Sequence, residues 1–222
     1  AVVAHGADAG ISLDGDADRI IMADEQGQII NGDQILGCLA LHMQRLGQLA
    51  GDAVVGTVMT NRGLEKRLAA AGITLHRTAV GDRYILEKLR ADNLLLGAEP
   101  SGHILMPNIS RSGDGLLAGL QMLALLKDGR APASQLFHAF TPSPQRLENL
   151  TGLDPAILEA PEFQADLQSI QTGLADQGRV LVRASGTENL IRVMVEAETD
   201  ALLTATMDAV IFRLQQGASQ NL

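Results

Sequence analysis

The chain has 222 residues and a formal net charge of −9 at pH 7, from 26 acidic and 17 basic side chains. Such an acidic protein, with one tyrosine, four phenylalanines and no tryptophan, offers neither a basic stripe nor a stacking platform, so we expect no nucleic-acid partner. Its longest apolar stretch, residues 116–126, is interrupted by Gln121 and is too short to span a bilayer, so we expect no membrane partner. The single cysteine, Cys38, excludes an internal disulfide, and no signal-peptide pattern opens the chain; we therefore expect a cytoplasmic protein.

The first predicted element is a short buried strand, residues 10–13, and three aspartates follow it directly. Asp14, Asp16 and Asp18 stand at alternate positions after the strand, where open α/β sheets place their ligands. Their charges repel one another, and a hard divalent cation offsets that repulsion most directly. Arg19 adds a planar donor suited to a phosphate group. Residues 14–19, the aspartate loop, are therefore predicted to carry magnesium and phosphate chemistry.

Three other interpretations of the aspartate loop compete with this one. It could be a solvated acidic turn. An EF-hand would place the three aspartates and Glu25 at loop positions 1, 3, 5 and 12, but this interpretation fails, because Arg19 stands where position 6 requires glycine and no predicted helix flanks the loop. It could also belong to a phosphatase with an aspartyl nucleophile, although Ala17 and Asp18 replace the glycine and hydroxyl residue that usually follow there.

Helices and strands alternate after this loop. A hairpin over residues 20–30 leads to predicted helices at 35–46, 64–71, 84–91 and 115–127, and to predicted strands at 53–59, 73–80 and 93–97. Asp33 and Asp114 are expected to cap the first and last of these helices. Cys38 falls within the apolar pattern of its helix, which indicates a buried structural thiol. The alternation predicts an α/β fold with a mainly parallel sheet and helices on both faces.

The pattern changes in the last third of the chain. Residues 131–144 contain three prolines and little periodicity, so we expect a linker there. Beyond it the sequence predicts a strand near 146–150, a helix at 162–176, strands at 180–183 and 190–198, and a final helix at 201–215. This is the pattern of a smaller C-terminal α+β domain.

A second candidate site follows the predicted strand at 93–97. Glu99, Ser101 and His103, spaced two residues apart, project to the same side of an extended loop. A carboxylate, a hydroxyl and an imidazole suit a polyol such as a sugar, and the imidazole can exchange protons near neutral pH. We name residues 99–103 the Glu-Ser-His loop. A turn with a surface histidine is the alternative interpretation.

A third candidate site joins the two C-terminal strands. It combines two arginines and two hydroxyl residues with a glycine that permits close backbone approach: Arg183, Ser185, Gly186, Thr187 and Arg192. These groups can form a phosphate cradle, although a polar hairpin turn uses the same residue types.

A fourth candidate, Gly81-Asp82-Arg83, lies between a strand and a helix. Arg83 beside a helix start could contact a phosphate, whereas Asp82 could be no more than a helix cap. Residues 113–115, Gly-Asp-Gly, are interpreted mainly as a helix start.

These motifs, in this order, resemble the α-D-phosphohexomutase superfamily, and most closely the bacterial phosphoglucosamine mutases. The matching segments are residues 13–19, 80–84, 99–103, 113–115 and 183–196. The resemblance runs over essentially the whole chain. It implies an isomerase that interconverts glucosamine 6-phosphate and glucosamine 1-phosphate, on the route to UDP-N-acetylglucosamine and the cell wall. A phosphoserine would donate its phosphoryl group to the sugar and give a bisphosphate intermediate.

The resemblance also implies a role for each candidate residue. Asp14, Asp16 and Asp18 would hold Mg²⁺, while Arg19 and His103 would take part in catalysis. The hexosamine phosphate substrate would be bound by Gly81, Asp82, Arg83, Glu99, Ser101, His103, Arg183, Ser185, Gly186, Thr187 and Arg192.

The chain departs from the family in one respect. Members are roughly twice as long, and their phosphoserine lies in a first domain whose Thr-Ala-Ser-His-Asn-type loop has no match here. We therefore expect residues 1–33 to be the remnant of a second α/β domain, 34–138 a third α/β domain and 139–222 a fourth, α+β domain. The missing N-terminal domains would be its partner, and the chain alone would be inactive. Phosphomannomutase or phosphoglucomutase activity, and a non-catalytic phosphosugar-binding module, stay open as alternatives.

Overall fold

The computed structural model describes residues 1–185 and 188–220. The chain divides into two compact units, Ala1–Pro142 and Ser143–Leu222, which we name unit 1 and unit 2. No helix within the described ranges is long and apolar enough to cross a membrane.

Unit 1 opens with a small antiparallel sheet that carries the aspartate loop. After a one-turn helix, α1 (Val2–His5), come strands β1 (Ala9–Leu13), β2 (Ile20–Asp24) and β3 (Ile29–Ile30). The sheet order is β1-β2-β3, and Leu13 pairs with Ile20 across the aspartate loop. The predicted strand before the aspartates and the predicted hairpin after them are confirmed. The expected burial of that strand is wrong, because its last two residues, Ser12 and Leu13, are exposed.

The second sheet of unit 1 has four strands in the order β5-β4-β6-β7. They are β4 (Ala53–Thr57), β5 (Thr74–Thr78), β6 (Gly97–Ala98) and β7 (Ile104–Leu105). Strands β5, β4 and β6 are parallel, and β7 is antiparallel to β6. The mainly parallel sheet is therefore confirmed, with one antiparallel edge. The strand predicted at 93–97 is shorter and begins only at Gly97.

Helices cover both faces of this sheet. Unit 1 contains α2 (Gly32–Arg45), α3 (Arg62–Ala70), α4 (Asp82–Ala91), α5 (Gly115–Gly129) and the short α6 (Ala133–Leu136). Val54 on β4 belongs to one buried cluster with Leu64 of α3, whereas Val55 belongs to another with Ile85 and Leu89 of α4. Because successive strand residues point to opposite faces, the two helices lie on opposite sides of the sheet.

The capping predictions were partly wrong. Asn31, and not Asp33, caps α2, because its side chain accepts a hydrogen bond from the Gln34 N–H at 3.1 Å. Asp33 lies buried in the first turn, where its Oδ2 accepts the Asn61 N–H at 2.8 Å. Asp114 caps α5 as predicted.

The linker predicted at 131–144 is also wrong for most of its length. It contains α6 and the fully buried side chain of Phe137. His138 Nε2 lies 3.0 Å from Oδ2 of the buried Asp24, so this segment packs against the first sheet. The Cys38 thiol is buried as predicted and donates to the carbonyl of Leu136. Burial raises the pKa of that thiol to about 12.

In its described residues, unit 2 contains a three-stranded antiparallel sheet and two α-helices, as predicted for the last third of the chain. Its elements are β8 (Gln145–Thr151), α7 (Pro161–Leu174), β9 (Gly178–Ala184), β10 (Leu190–Ala197) and α8 (Asp200–Gln220), and the sheet order is β8-β10-β9. Its buried cluster includes Phe163 of α7, Val193 of β10 and Met207 of α8.

Candidate functional site

The aspartate loop brings its three carboxylates together. One oxygen from each of Asp14, Asp16 and Asp18 lies within 4.8 Å of the others. The loop turns back through Ala17, which adopts a left-handed backbone conformation with φ of 60°. Three carboxylate oxygens at this spacing are the hard ligands that Mg²⁺ and Ca²⁺ prefer, so the donor set fits such an ion.

Arg19 is an internal counter-charge for this loop. Its side-chain Nε lies 2.7 Å from Asp14 Oδ2 and 3.5 Å from Asp18 Oδ1, and its backbone N–H donates to Asp14 Oδ1 at 3.1 Å. Partial desolvation raises the pKa of the Asp14 carboxyl, but the hydrogen bonds and charge of Arg19 outweigh that effect and hold the pKa below its usual value. The carboxylate is therefore ionised at neutral pH, as a metal ligand must be.

The Glu-Ser-His loop is joined to the aspartate loop by backbone pairing. Arg19 and His103 form an antiparallel bridge, and the Ile20 N–H donates to the Gly102 carbonyl at 3.0 Å. Gly102 has φ of 93°, and a Cβ there would lie 1.9 Å from the Ile20 carbonyl oxygen, so the close approach requires glycine. Two loops separated by about eighty residues thus become neighbours.

His103 lies between two carboxylates and is buried. Its Nδ1 lies 3.2 Å from Asp18 Oδ2, and its Nε2 lies 4.0 Å from Asp82 Oδ2. Its Nε2 finds no hydrogen-bond partner within residues 1–185 and 188–220. This ring is therefore not a surface histidine, and its Nε2 is a buried nitrogen that lacks a partner in those ranges.

Glu99 connects its own loop to the loop that precedes α4. Its Oε1 accepts the Gly81 N–H at 2.8 Å, and the Ser101 hydroxyl donates to its Oε2 at 3.4 Å. Gly81 is the N-cap residue of α4, so Asp82 begins the helix and does not cap it. A carboxylate has about four lone-pair positions, so these contacts leave Glu99 able to accept from a ligand hydroxyl.

The Arg83 side chain forms an ion pair along its own helix. Its Nε donates to Glu87 Oε1 at 2.8 Å, one turn further along α4, and its side chain is 81% exposed. In this conformation its guanidinium pairs with a carboxylate of the same helix.

Sequence reasoning missed the contribution of residues 113–115. A Cβ on Gly113 would lie 2.4 Å from the His103 ring, and the Gly115 N–H donates to the Ala17 carbonyl at 2.9 Å. These glycines allow the start of α5 to contact both loops. The Gly-Asp-Gly pattern was the available signal, but a helix start explains the same residues.

A further loop at this sheet edge was also missed. Because β4, β5 and β6 are parallel, residues 58–61 after β4 lie at the same carboxyl edge as the loops after β5 and β6. Arg77 fixes this loop: its Nη1 donates to the carbonyls of Thr57 and Thr60 at 3.0 and 2.7 Å.

The third candidate site belongs to unit 2. Arg183 and Arg192 are directly paired across β9 and β10, and Arg192 Nη2 lies 2.9 Å from Glu188 Oε2. The buried Arg192 Nε has no hydrogen-bond partner within the described ranges. The Ser185 hydroxyl accepts the Glu188 N–H at 3.3 Å. Gly186 and Thr187 lie outside the described residues.

Comparison with known proteins places both units in one family. Residues 31–143 match the model of the phosphoglucomutase/phosphomannomutase alpha/beta/alpha domain III, and residues 145–211 match the model of the C-terminal domain of the same family. The chain is 48% identical over 220 residues to the phosphoglucosamine mutase of Paramagnetospirillum magneticum, covering 98% of this chain and 49% of that protein. It therefore spans about half the length of the curated relatives it matches.

Solved structures show the same fold. A phosphoglucomutase/phosphomannomutase family protein from Burkholderia thailandensis matches with a TM-score of 0.80 and 24% identity, over 97% of this chain and 48% of that one. Aspergillus fumigatus N-acetylphosphoglucosamine mutase, in complex with GlcNAc-6P and magnesium, matches with a TM-score of 0.74 and 23% identity, over 92% and 48% of the two chains. This chain belongs to the phosphoglucomutase/phosphomannomutase family and carries its domain III and C-terminal domain.

Proposed function

We propose that this chain is the C-terminal half of a phosphoglucosamine mutase, which interconverts glucosamine 6-phosphate and glucosamine 1-phosphate. The observation that carries the proposal is the pairing of the aspartate loop with the Glu-Ser-His loop through Gly102, which sets a carboxylate cluster beside sugar-binding groups. The 48% identity to a protein of that name over nearly the whole chain supports it. Residues 1–33 end the second domain in this proposal, with 34–138 the third and 139–222 the fourth.

Asp14, Asp16 and Asp18 hold the metal ion in the proposed mechanism. Magnesium bound there would neutralise charge on the phosphoryl group during its transfer. Arg19 is already fixed beside Asp14, and its guanidinium contributes a second positive charge near the same group. The magnesium complex of the Aspergillus fumigatus relative supports this choice of ion.

The sugar is oriented by the Glu-Ser-His loop. Glu99 accepts from sugar hydroxyls, Ser101 donates to them, and His103 contacts the substrate through Nε2. Glu99 also holds the Gly81 N–H, so sugar binding and the position of residues 81–83 are linked. Such contacts lower the barrier of the reaction because they hold the reacting group in place.

Unit 2 supplies phosphate-binding groups of its own. The phosphate that is not transferred is bound by Arg183, Ser185, Gly186, Thr187 and Arg192. Arg192 Nε, which has no partner among the described residues, is one donor for that phosphate. The phosphoserine comes from the N-terminal half of the enzyme, so the 222-residue chain is inactive alone. A cytoplasmic location stays a prediction.

A chimaeric enzyme tests the function. The N-terminal part of the Paramagnetospirillum magneticum relative that this chain does not match is joined ahead of residue 1. The chimaera is assayed with Mg²⁺, glucosamine 6-phosphate and a bisphosphate primer. We expect turnover by the chimaera and none by the 222-residue chain.

The metal role is tested in the same assay. D16N should lower kcat by about a hundredfold or more, whereas D128N, which removes an exposed carboxylate on α5, should leave it unchanged. A folded chimaera without turnover, or a D16N variant with full activity, would contradict the proposal.

A further inference from the structure

The start of helix α5 contacts both loops of the candidate site. It consists of Gly113, Asp114 and Gly115, which we name the Gly-Asp-Gly turn; Asp114 is the N-cap residue and Gly115 the first helical residue. A helix start requires a side-chain acceptor for its first N–H groups, and Asp114 supplies it. Neither glycine supplies such an acceptor, so capping does not explain why glycine stands at these two positions.

Gly115 packs against the backbone of the aspartate loop. Its N–H donates to the carbonyl of Ala17, the residue between Asp16 and Asp18, at 2.9 Å. Ala17 has φ of 60°, a conformation that is unfavourable for a residue with a Cβ, so this hydrogen bond stabilises the turn that brings the two carboxylates together. A Cβ on Gly115 would lie 2.8 Å from the Arg19 carbonyl oxygen, so the close approach requires glycine.

Gly113 lies against the ring of His103. A Cβ there would lie 2.9 Å from Nδ1 and closer still to Cε1 and Nε2, so the glycine lies along the ring edge that carries both nitrogens. The same ring is buried, and its Nδ1 lies 3.2 Å from Asp18 Oδ2. A side chain at position 113 would therefore displace the ring from the orientation in which it pairs with Asp18.

Asp114 fixes the turn between the two glycines. Its Oδ1 accepts the Leu117 N–H at 2.8 Å, and its carbonyl accepts the Ala118 N–H at 3.0 Å. These two bonds form the first turn of α5, which directs the Gly115 N–H toward the aspartate loop. Asparagine caps helices as well as aspartate does but carries no charge, so substitution can separate the cap from the charge of Asp114.

We propose that the Gly-Asp-Gly turn is a positioning element for both loops. Gly115, held by the Asp114 cap, keeps the aspartate loop in its metal-binding conformation, and Gly113 sets the orientation of the His103 ring. One helix start thus fixes two loops that are distant in the chain. The inference deepens the proposed function and rests on it, because that proposal assigns metal and sugar binding to the two loops.

The metal affinity of the 222-residue chain tests the role of Gly115 without any substrate. Mg²⁺ binding is measured by isothermal titration calorimetry at a temperature where circular dichroism shows every variant to be folded. G115A should weaken binding by about three- to tenfold, because loss of the hydrogen bond lowers the population of the binding-competent loop. G119A is the matched control on the same helix: a Cβ there would lie 2.9 Å from Ile11 Cδ1 and 3.0 Å from Ile20 Cδ1, and not against the loop, so the affinity should not change.

Substitution of Asp114 is a milder perturbation of the same contact. D114A removes the cap and should weaken Mg²⁺ binding by at least about twofold, whereas D114N keeps a cap and should bind as the unsubstituted chain does. Equal weakening by D114A and D114N, or an unchanged affinity in G115A, would overturn the role of the turn. Absence of Mg²⁺ binding by the unsubstituted chain would overturn the metal site itself, and this half of the inference with it.

The contact of Gly113 is tested with and without the His103 ring. G113A should raise the unfolding equilibrium constant of the 222-residue chain by about tenfold or more, because the added Cβ displaces a buried ring. In the H103A background the ring is absent, and G113A should then have little effect. Equal effects in the two backgrounds would show that Gly113 does not act through His103 and would overturn its role.

The chimaera described above supplies the functional measurement for Gly113. G113A should lower kcat for glucosamine 6-phosphate by about tenfold or more with a smaller change in KM, because the ring is misplaced while Glu99 and Ser101 still bind the sugar. G119A should leave kcat unchanged, and a G113A variant that alters KM alone would contradict the positioning role. A chimaera without turnover on any sugar phosphate would contradict the proposed function alone, because the calorimetric and unfolding measurements use no substrate.

Discussion

Substitution of Gly102 by alanine should separate the aspartate loop from the Glu-Ser-His loop. Gly102 has φ of 93°, and an added Cβ would lie 1.9 Å from the Ile20 carbonyl oxygen. The left-handed conformation costs about 1–2 kcal/mol for a residue with a Cβ. The clash also strains two hydrogen bonds, from the Ile20 N–H to Gly102 and from the Gly102 N–H to Glu99, each worth about 0.5–1.5 kcal/mol. G102A should therefore lower the free energy of unfolding by about 2–5 kcal/mol.

The assay uses the only tyrosine of the chain. Tyr84 lies on α4 in unit 1, so its fluorescence during urea titration reports the unfolding of that unit. G47A is the matched control: Gly47 also has a positive φ, of 68°, but no heavy atom lies within 4 Å of a Cβ there, so it should cost only about 1–2 kcal/mol. If G102A is no more destabilising than G47A, the packed junction between the two loops is not the constraint we describe.

Three further predictions concern unit 1. Desolvation raises the pKa of Asp24, but the hydrogen bonds from His138 and from two backbone N–H groups outweigh it and hold that pKa below its ordinary value of 3.8. The contribution of the Asp24 carboxylate to stability is therefore present above about pH 4 and is lost as pH falls through the lowered pKa. H138A should cost about 1–3 kcal/mol and move the acid-unfolding midpoint, followed by circular dichroism, to higher pH; an unchanged midpoint would contradict this. Cys38, with a pKa of about 12, should resist a thiol reagent at pH 8 and react fully in urea; rapid labelling of the folded chain would show that the thiol is accessible. R77M should lower the free energy of unfolding of unit 1 by about 2–4 kcal/mol in the urea titration, because it removes the hydrogen bonds to the loop after β4. The control R67M, at an exposed arginine, should lower it by less than about 0.5 kcal/mol. Similar effects of the two substitutions would refute the role of Arg77 in fixing that loop.

Local patterns predicted most of the secondary structure. The continuous apolar run at residues 53–59 became β4, and the helical period between Asp114 and Gly129 became α5 with its predicted cap. These elements are specified by their own residues, because a short segment of sequence already contains the apolar pattern: a continuous run for a strand buried on two faces, and a helical period for a helix buried along one stripe.

The errors arose where distant residues decide the outcome. Asn31 and Asp33 are both capping residues, and the choice between them depends on Asn61, whose N–H is the partner of Asp33. The prolines of residues 131–144 indicated a linker, but Phe137 is buried within unit 1. No local signal specifies either contact.

The candidate site, like the fold, could be predicted only in part. The residue types of the aspartate loop and the Glu-Ser-His loop indicate their chemistry, but their meeting through Gly102 depends on a backbone geometry that spacing alone does not contain. The contact of Gly113 with His103 likewise follows from the tertiary structure.

Substrate preference tests the central claim most directly. The chimaeric enzyme is supplied in turn with glucosamine 6-phosphate, glucose 6-phosphate and mannose 6-phosphate, at one Mg²⁺ concentration and with the matching bisphosphate primer. We predict the highest kcat/KM for glucosamine 6-phosphate. A higher kcat/KM for either of the other two sugars would contradict the assignment and make this chain part of a phosphoglucomutase or phosphomannomutase.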